Sequence, residues 1–359
     1  MNNRTETPSS RLEKPVAMFP KNHWYVAARS KEVGRELLAR KILGKDLVLY
    51  RCESGEPVAL SGLCPHRQFP LGKGTLFGDE LECRYHGITF GPSGECLRIP
   101  TQESIPASCR LTNYPLVEKW EWLWIWVGEP ELADSTAIPD MNDLRLGEEG
   151  WRAMDNGTFR FESRIQLSID NLMDLSHVYA LHFPAGLMRD IPPPKVHSEL
   201  HNNRWTVTTE TPVPADEFTK TLFPDCGDVV YSKFSSEFVS PGLVKAVISA
   251  HRMNADFTPG EELGTLIFPH ALTPETATST FLFMAETRNF SIHDTSIEPA
   301  LLESNMRILH EDMEALELIE SHTSAEIEYI TSVRADAGAL RVKKVIDEMI
   351  AAESAANAG

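Results

Sequence analysis

The hydrophobic and polar positions of the chain change their pattern about a third of the way along it. After a polar stretch over residues 1–18, short apolar runs separated by turn residues predict β-strands. These runs are Trp24–Ala27, Asp46–Tyr50, Pro57–Leu60 and Glu121–Val127. We therefore expect a disordered tail over residues 1–18 and a small all-β domain over residues 19–130.

The remainder mixes strands with helices, after a linker of Pro, Gly and acidic residues over 128–150. Strands are predicted at Trp205–Thr209, Leu243–Ala250, Leu263–Phe268 and Thr280–Ala285. Helices are predicted at Ile165–His182, Pro299–Ser321 and Ala339–Ala352. The predicted fold class is α+β, with residues 131–355 as the second domain.

Composition narrows the class of protein. A chain of 359 residues with 42% apolar and 24% charged residues is typical of a soluble protein of about two domains. A net charge of −18 argues against binding to nucleic acid or to an anionic membrane surface. That charge could help a basic partner to dock, or could serve solubility alone. The six Cys show no paired spacing outside the motif below, and no signal-peptide or membrane-span pattern is present, so we expect a cytoplasmic, reduced protein.

One motif combines two residue types that can bind iron. Cys64-Pro-His66 is followed, after sixteen intervening residues, by Cys83-Arg-Tyr-His86. Two thiolates and two imidazoles at this spacing can hold a two-iron, two-sulfide cluster with Cys on one iron and His on the other, which is a Rieske centre. Zinc is the competing interpretation, although zinc knuckles usually pair like with like, and here each knuckle has one Cys and one His.

A second candidate metal site lies in the segment from Asn171 to His182. Asp174 and His177 are three residues apart and would share a helix face. His182 follows His177 by five residues, so a helix holding both on one ion must distort or end between them. The alternative is that both His are ordinary polar residues of a helix.

Asp312 is the candidate third ligand. It falls on the apolar stripe of the predicted helix 299–321, which runs through Met306, Leu309, Met313 and Leu316. A carboxylate facing a core needs a cation or strong hydrogen-bond donors. Two His and one carboxylate form the facial triad of non-haem Fe(II) oxygenases. The alternative is a buried ion pair with an Arg such as Arg341.

With both sites placed, the chain resembles the oxygenase component of Rieske non-haem iron oxygenases, most closely the vanillate O-demethylase and dicamba O-demethylase branch. The resemblance covers about residues 19–352. It is carried by the Cys64–His86 motif, Asn171-Leu-Met-Asp174-Leu-Ser-His177-x4-His182, His270-Ala-Leu-Thr-Pro-Glu-Thr276, and Glu311-Asp312.

The resemblance implies a fold and a set of residue roles. The first domain would be a β Rieske domain and the second a helix-grip (START-like) domain with a curved antiparallel sheet. Cys64, His66, Cys83 and His86 would bind the cluster, and His177, His182 and Asp312 the mononuclear Fe²⁺. Asp174 and Asn171 would be catalytic, with Asp174 bridging a cluster His of a neighbouring subunit to His177 in a homotrimer. His270 would contact substrate, and His251 and Asn289 are further pocket candidates.

The implied function is that of a terminal oxygenase. Electrons from NAD(P)H would arrive through a separate reductase with flavin and a ferredoxin-type centre, since this chain has neither a G-x-G-x-x-G after a strand nor a four-Cys array. With O2, the enzyme would hydroxylate a C–H bond of a small aromatic substrate. Oxidative O-demethylation of a methoxylated aromatic acid, with release of formaldehyde, is the expected reaction. Ring dihydroxylation, N-dealkylation and a purely electron-transferring Rieske protein are the alternatives.

Overall fold

The computed structural model describes residues 19–182, 195–323 and 331–356, so the predicted tail over 1–18 lies outside the described residues. The first part of the chain consists of ten short strands in three small antiparallel sheets, ordered β1-β10-β9, β2-β3-β4 and β5-β6-β7-β8. The strands are β1 Trp24–Arg29, β2 Leu38–Ile42, β3 Lys45–Arg51, β4 Pro57–Ser61, β5 Thr75–Phe77, β6 Glu80–Glu82, β7 Thr89–Phe90, β8 Cys96–Arg98, β9 Leu116–Lys119 and β10 Trp122–Trp126.

The second part is built on one seven-stranded antiparallel sheet, ordered β11-β17-β16-β15-β14-β13-β12. Its strands are β11 Arg152–Phe161, β12 Lys195–His201, β13 Arg204–Pro214, β14 Val229–Ser240, β15 Leu243–Met253, β16 Pro259–Thr276 and β17 Ser279–Arg288. The helices are α1 Ile165–Leu172, α2 Val178–Leu181, α3 Glu217–Leu222, α4 Glu298–His322 and α5 Ala337–Ala356. An all-β first domain followed by a sheet-and-helix domain confirms the predicted α+β class.

Strand β10 shows how the two parts share a core. Trp122, Trp124 and Trp126 are all buried, as is every other residue of this strand. They pack in one hydrophobic cluster with Leu243 and Phe283 of the large sheet. Buried aromatic side chains contribute strongly to the stability of a core. Apolar contacts therefore hold strand β10 and the large sheet together.

The segment predicted as a linker over residues 128–150 is not a free connection. Ile138, Leu144 and Leu146 are buried and belong to the same cluster as the Trp side chains of β10. The hydrophobic residues of this segment therefore close the core between the two domains. The Pro, Gly and acidic residues of this segment predicted a linker, but its packing depends on strands that are distant from it in the sequence.

The predicted helix 165–182 is interrupted. Helix α1 ends at Leu172, and the one-turn helix α2 has His177 and His182 as its flanking residues. The prediction required the helix to distort or end between the two His, and α2 does end there, at Leu181; a further break before His177 was not predicted. The side chain of Asp174 accepts a hydrogen bond from the backbone N–H of Ser176 (2.8 Å), and such local bonds compete with the helical pattern.

Helix α1, which precedes the two candidate His ligands, is joined by a buried ion pair to helix α4, which carries Asp312. Arg164, which precedes α1, donates from Nε and Nη2 to the two carboxylate oxygens of Glu320 on α4, at 2.6 and 2.7 Å. Both side chains are less than a tenth exposed. This pair fixes α1 against α4.

No helix in the described ranges is long and apolar enough to cross a membrane.

Candidate metal centres and their cavity

The two Cys-His loops have the same backbone hydrogen-bond pattern. In the first loop, Cys64 N–H donates to the carbonyl of Phe69 (3.0 Å) and Gln68 N–H donates back to Cys64 (2.8 Å). In the second loop, Cys83 pairs with Ile88 and Gly87 in the same way, each at 2.8 Å. Gln68 and Gly87 occupy the equivalent left-handed position, at φ 55° and 67°. The second loop uses glycine there, where a positive φ costs nothing.

Burial divides the four side chains into two kinds. Cys64 and Cys83 are 2% and 1% exposed, whereas His66 and His86 are exposed, with ring centroids 4.6 Å apart. The inner positions thus offer thiolates and the outer positions imidazoles, as an asymmetric Rieske cluster requires.

His177, His182 and Asp312 come together at the second site, although Asp312 is distant in sequence. Their donor atoms all lie within 4.8 Å of one another. Asp312 Oδ1 is 3.6 Å from His177 Nε2 and 3.4 Å from His182 Nε2. In the described residues that buried oxygen accepts no hydrogen bond, so a cation is the group that would satisfy it. The donor set fits a facial-triad iron site.

The two imidazoles of this site have opposite electrostatic surroundings. Burial, the largest effect, lowers the pKa of His177 despite the charge of Asp312. Burial would also lower the pKa of His182, but the carboxylates of Asp312 and Glu311 together outweigh it and raise that pKa. An imidazole must be deprotonated to bind a metal ion. The lowered pKa of His177 leaves it ready to bind at neutral pH, whereas the raised pKa of His182 means that it holds its proton more tightly and must release it on binding.

Glu311 is a site residue whose role the sequence did not indicate. Its carboxylate accepts a hydrogen bond from His182 Nδ1 (2.9 Å) and is itself held by Arg307 Nη1 at 2.9 and 3.2 Å. A carboxylate on the far nitrogen of a ligating His fixes the tautomer and the ring orientation. The available signal was its position beside Asp312, which alone could not show which way its side chain points.

The predicted catalytic residues lie next to this triad. Asn171 lines the cavity described below. Asp174 contacts His177 through its backbone carbonyl, to which His177 Nδ1 donates, while its carboxylate accepts from Ser176. Within one chain, the carboxylate of Asp174 therefore does not bond to His177. Its bridging role to a neighbouring subunit stays a prediction.

A cavity of about 870 Å³ opens onto the triad. Its sheet wall uses alternate residues of each strand, such as Ala246, Ile248 and Ala250 of β15, because successive side chains point to opposite faces. Helices α1, α2, α3 and α4 supply the other walls. The lining includes five phenylalanines, which are Phe161, Phe218, Phe223, Phe234 and Phe268.

Of the three predicted substrate residues, the structure brings one into the cavity. His270 lines it, and burial lowers its pKa to about 4, so it is neutral at pH 7. His251 and Asn289 are outside the lining, which corrects their prediction. His251 follows Ala250 and points away, with Nε2 3.0 Å from Ser249 Oγ. Asn289 lies beyond the end of β17 and donates to Glu262 (3.0 Å).

Asn305 is a second cavity residue that sequence reasoning missed. It lines the cavity from α4 and donates its amide N–H to the carboxylate of Glu286 on β17. Glu286 is buried, and burial raises its pKa although the amide of Asn305 and the charge of Arg288 oppose this. One N–H of the Asn305 amide is committed to Glu286, so its second N–H and its carbonyl oxygen are the groups left for a ligand.

Comparison with known proteins agrees with this geometry. Residues 23–115 match the Rieske [2Fe-2S] domain, and residues 161–352 match the vanillate O-demethylase oxygenase C-terminal domain. The chain is 30% identical to the vanillate O-demethylase oxygenase subunit of a Pseudomonas species, over 94% of this chain and 97% of that one. It is also 30% identical to the oxygenase component of chloroacetanilide N-alkylformylase of Rhizorhabdus wittichii, with the same coverage.

The fold is that of a solved oxygenase. Dicamba monooxygenase bound to dicamba superposes with a TM-score of 0.81 at 29% identity, covering 94% of this chain and all of that one. The same enzyme with non-haem iron and dicamba superposes with a TM-score of 0.77 at 28% identity, over 94% of this chain and 99% of that one. The chain therefore shares its fold with a related protein whose structure contains non-haem iron.

Proposed function

Because the chain belongs to the oxygenase components of the Rieske non-haem iron oxygenases, we propose that it catalyses oxidative O-demethylation of a methoxylated aromatic compound. The family makes it an oxidoreductase whose cofactors are a Rieske [2Fe-2S] cluster and a mononuclear iron. Its relatives include O-demethylases and an enzyme that acts at nitrogen, so the reaction and substrate are our proposal.

The observation that carries the proposal is the position of the cavity. Its wall includes His177, His182 and Asp312, so a bound molecule would lie against the candidate iron site. Iron at this site would supply dioxygen activation, the chemistry that the protein residues themselves lack. The protein would contribute ligand geometry, exclusion of water and placement of the methoxy carbon. Hydroxylation of that carbon yields a hemiacetal, which collapses to formaldehyde and a phenol.

The chemistry of the walls supports a small aromatic substrate. Phenylalanine faces and aliphatic side chains suit a planar ring, and a few polar groups would orient it. Those groups are Asn171, His270 and Asn305. Among the described residues of the lining, Arg307 is the one Arg or Lys, and it forms an ion pair with Glu311, so an aromatic acid would rely on neutral donors there for its carboxylate. We therefore expect both acids and uncharged methoxyarenes to be substrates.

The supply of electrons follows from the division into components. The relatives are named as oxygenase components of multicomponent systems, which implies a separate reductase for this chain as well. We propose that this reductase passes electrons from NAD(P)H to the cluster. We further propose a homotrimer in which exposed His66 or His86 faces Asp174 of the next subunit, since a direct link between surfaces shortens the path for an electron.

A panel of methoxylated aromatic compounds with a surrogate reductase tests the proposal. Each acid is paired with its uncharged analogue, and formaldehyde and NADH consumption are measured together. Formaldehyde in proportion to the demethylated product is the expected result. An N-methyl compound in the same panel separates O-demethylation from N-dealkylation. A cis-diol product without formaldehyde would replace our proposal with ring dihydroxylation.

A further inference from the structure

Two cysteines outside the cluster motif are neighbours in the folded Rieske domain. Glu95 and Arg110 form an antiparallel β-bridge, and one step along that register places Cys96 opposite Cys109. Residues directly opposite in an antiparallel pair have Cα atoms about 4.5–5.5 Å apart. Disulfide bonds need a Cα separation of roughly 4.4–6.8 Å, so this register suits a cross-strand disulfide.

The thiols themselves are in contact. Burial, followed by a hydrogen bond with the Cys96 thiol and repulsion from its charge, raises the pKa of the Cys109 thiol to about 11. Both cysteines are free thiols and only partly buried. The residues from Thr101 to Ser108, just before Cys109, are all exposed. A small oxidant can therefore reach the pair from this side.

We propose that Cys96 and Cys109 are a redox-sensitive thiol pair that hydrogen peroxide converts to a cross-strand disulfide. This modification is independent of the substrate assigned above. In a reducing compartment, disulfides between such thiols are usually transient and sensory, not structural. The four other cysteines are buried, and two of them are the cluster residues Cys64 and Cys83.

The chemistry balances with peroxide as the oxidant. The thiolate of one cysteine attacks the O–O bond, which gives a sulfenic acid and hydroxide. The second thiolate then attacks that sulfur, forms the S–S bond and displaces hydroxide. Two thiols and one hydrogen peroxide thus give one disulfide and two waters, with one electron lost from each sulfur.

The location connects the pair to the cluster. Cys96 and Cys109 pack against the same hydrophobic cluster that contains Cys64 and Cys83. The disulfide would close the loop from Leu97 to Ser108, whose Pro100 lies against Gly87 of the second ligand loop. It would fasten this exposed segment while the cluster residues remain unchanged.

Peptide mapping of the cluster-loaded holoenzyme tests the proposal. Trypsin cleavage after Arg84, Arg98 and Arg110 places Cys96 in peptide 85–98 and Cys109 in peptide 99–110, each with a single cysteine. After treatment with about one equivalent of peroxide, we expect these two peptides to be joined, a loss of two hydrogens per chain, and reversal by dithiothreitol. The visible spectrum of the cluster should be retained.

Three variants complete the experiment. Cys96→Ser and Cys109→Ser should each abolish the cross-link, with dimedone trapping a sulfenic acid on the cysteine of the pair that remains. Cys226→Ser, which removes a buried cysteine of a separate hydrophobic cluster, should leave the cross-link unchanged. Bleaching of the cluster before any 85–98 to 99–110 link forms in the wild-type chain would overturn the proposal, whatever the stability of the variants.

Discussion

His182 and Glu311 are joined by a hydrogen bond of 2.9 Å between imidazole Nδ1 and carboxylate Oε2. The bond crosses from the end of α2 to the middle of α4, and it leaves His182 Nε2 directed toward Asp312. Arg307, one turn earlier on α4, holds the same carboxylate. Glu311 and Asp312 are therefore adjacent in sequence, and they contact the two nitrogens of one ring.

Removal of the Glu311 carboxylate should weaken metal binding without touching a ligand. We expect Glu311→Ala to lose about 10–100-fold in Fe²⁺ affinity, since His182 is no longer held in one tautomer and orientation. Glu311→Gln should lose less, because its amide oxygen can still accept the bond. Glu314→Ala, an exposed carboxylate on the same helix, is the matched control. Titration of metal-free protein measures each affinity, and equal values for Glu311→Ala and Glu314→Ala would refute the positioning role.

Asp312→Ala should separate the two metal sites. Loss of the single carboxylate of the triad should remove the mononuclear iron, while the cluster domain and its spectrum remain intact. Iron analysis should then find two irons per chain instead of three. Retention of all three would mean that the third ligand is another residue.

Asp174→Ala tests the proposed bridge between subunits. We expect the Rieske spectrum and the iron content to match wild type while turnover falls by several orders of magnitude. The carboxylate also accepts from Ser176 N–H, so Asp174→Asn, which can still accept that bond, controls for the local turn. Single-turnover transfer from reduced cluster to the iron site is the decisive measurement. If Asp174→Ala transferred electrons at the wild-type rate, the proposed bridging role would be wrong.

Metal affinity should depend on pH through His182. The pKa of this residue is raised, so below that pKa binding of Fe²⁺ must displace a proton, and affinity should fall about tenfold per pH unit. Above it, affinity should level off. The stability of the metal-free protein should change with pH in the opposite direction. The ion pairs of protonated His182 stabilise the fold below pH 6.5, and this stabilisation is lost as pH rises through the raised pKa. Parallel titrations of affinity and thermal unfolding check both signs, and an affinity unchanged across this range would exclude His182 as a ligand.

The Arg164–Glu320 pair should stabilise the fold that carries the site. Arg164→Ala leaves the Glu320 carboxylate buried without its main cation, and we expect a loss of about 3–5 kcal/mol in the free energy of unfolding. Arg160→Ala removes a pair with Glu162 and Glu275 that is well exposed on the arginine side, and should cost about 0–1 kcal/mol. Denaturant unfolding compares the two. Similar losses in the two variants would show that burial of the Arg164–Glu320 pair adds nothing to the free energy of unfolding.

Local sequence was enough for the elements with strong patterns. The Trp-rich strand β10 and the helix α4 were predicted to within a few residues, because alternation of burial and helical periodicity are short-range properties. Strands β11 and β14 were not predicted. Their residues are mostly half-buried, and polar residues such as Asp155, Asn156 and Lys233 interrupt the apolar pattern. Their pairing depends on neighbouring strands that no local window contains.

The same division holds for the sites. Cys64, His66, Cys83 and His86 were recognisable because their spacing within each loop is itself the chemical signature. Contacts between distant segments were decided by tertiary structure alone. Packing of α4 against α1 brought Asp312 to the two His and Glu311 to His182, and a bridge at Glu95 brought together two cysteines whose spacing showed no pairing. The spacing of residues within one loop can be read directly from the sequence, whereas the direction of a side chain across a core depends on everything packed around it.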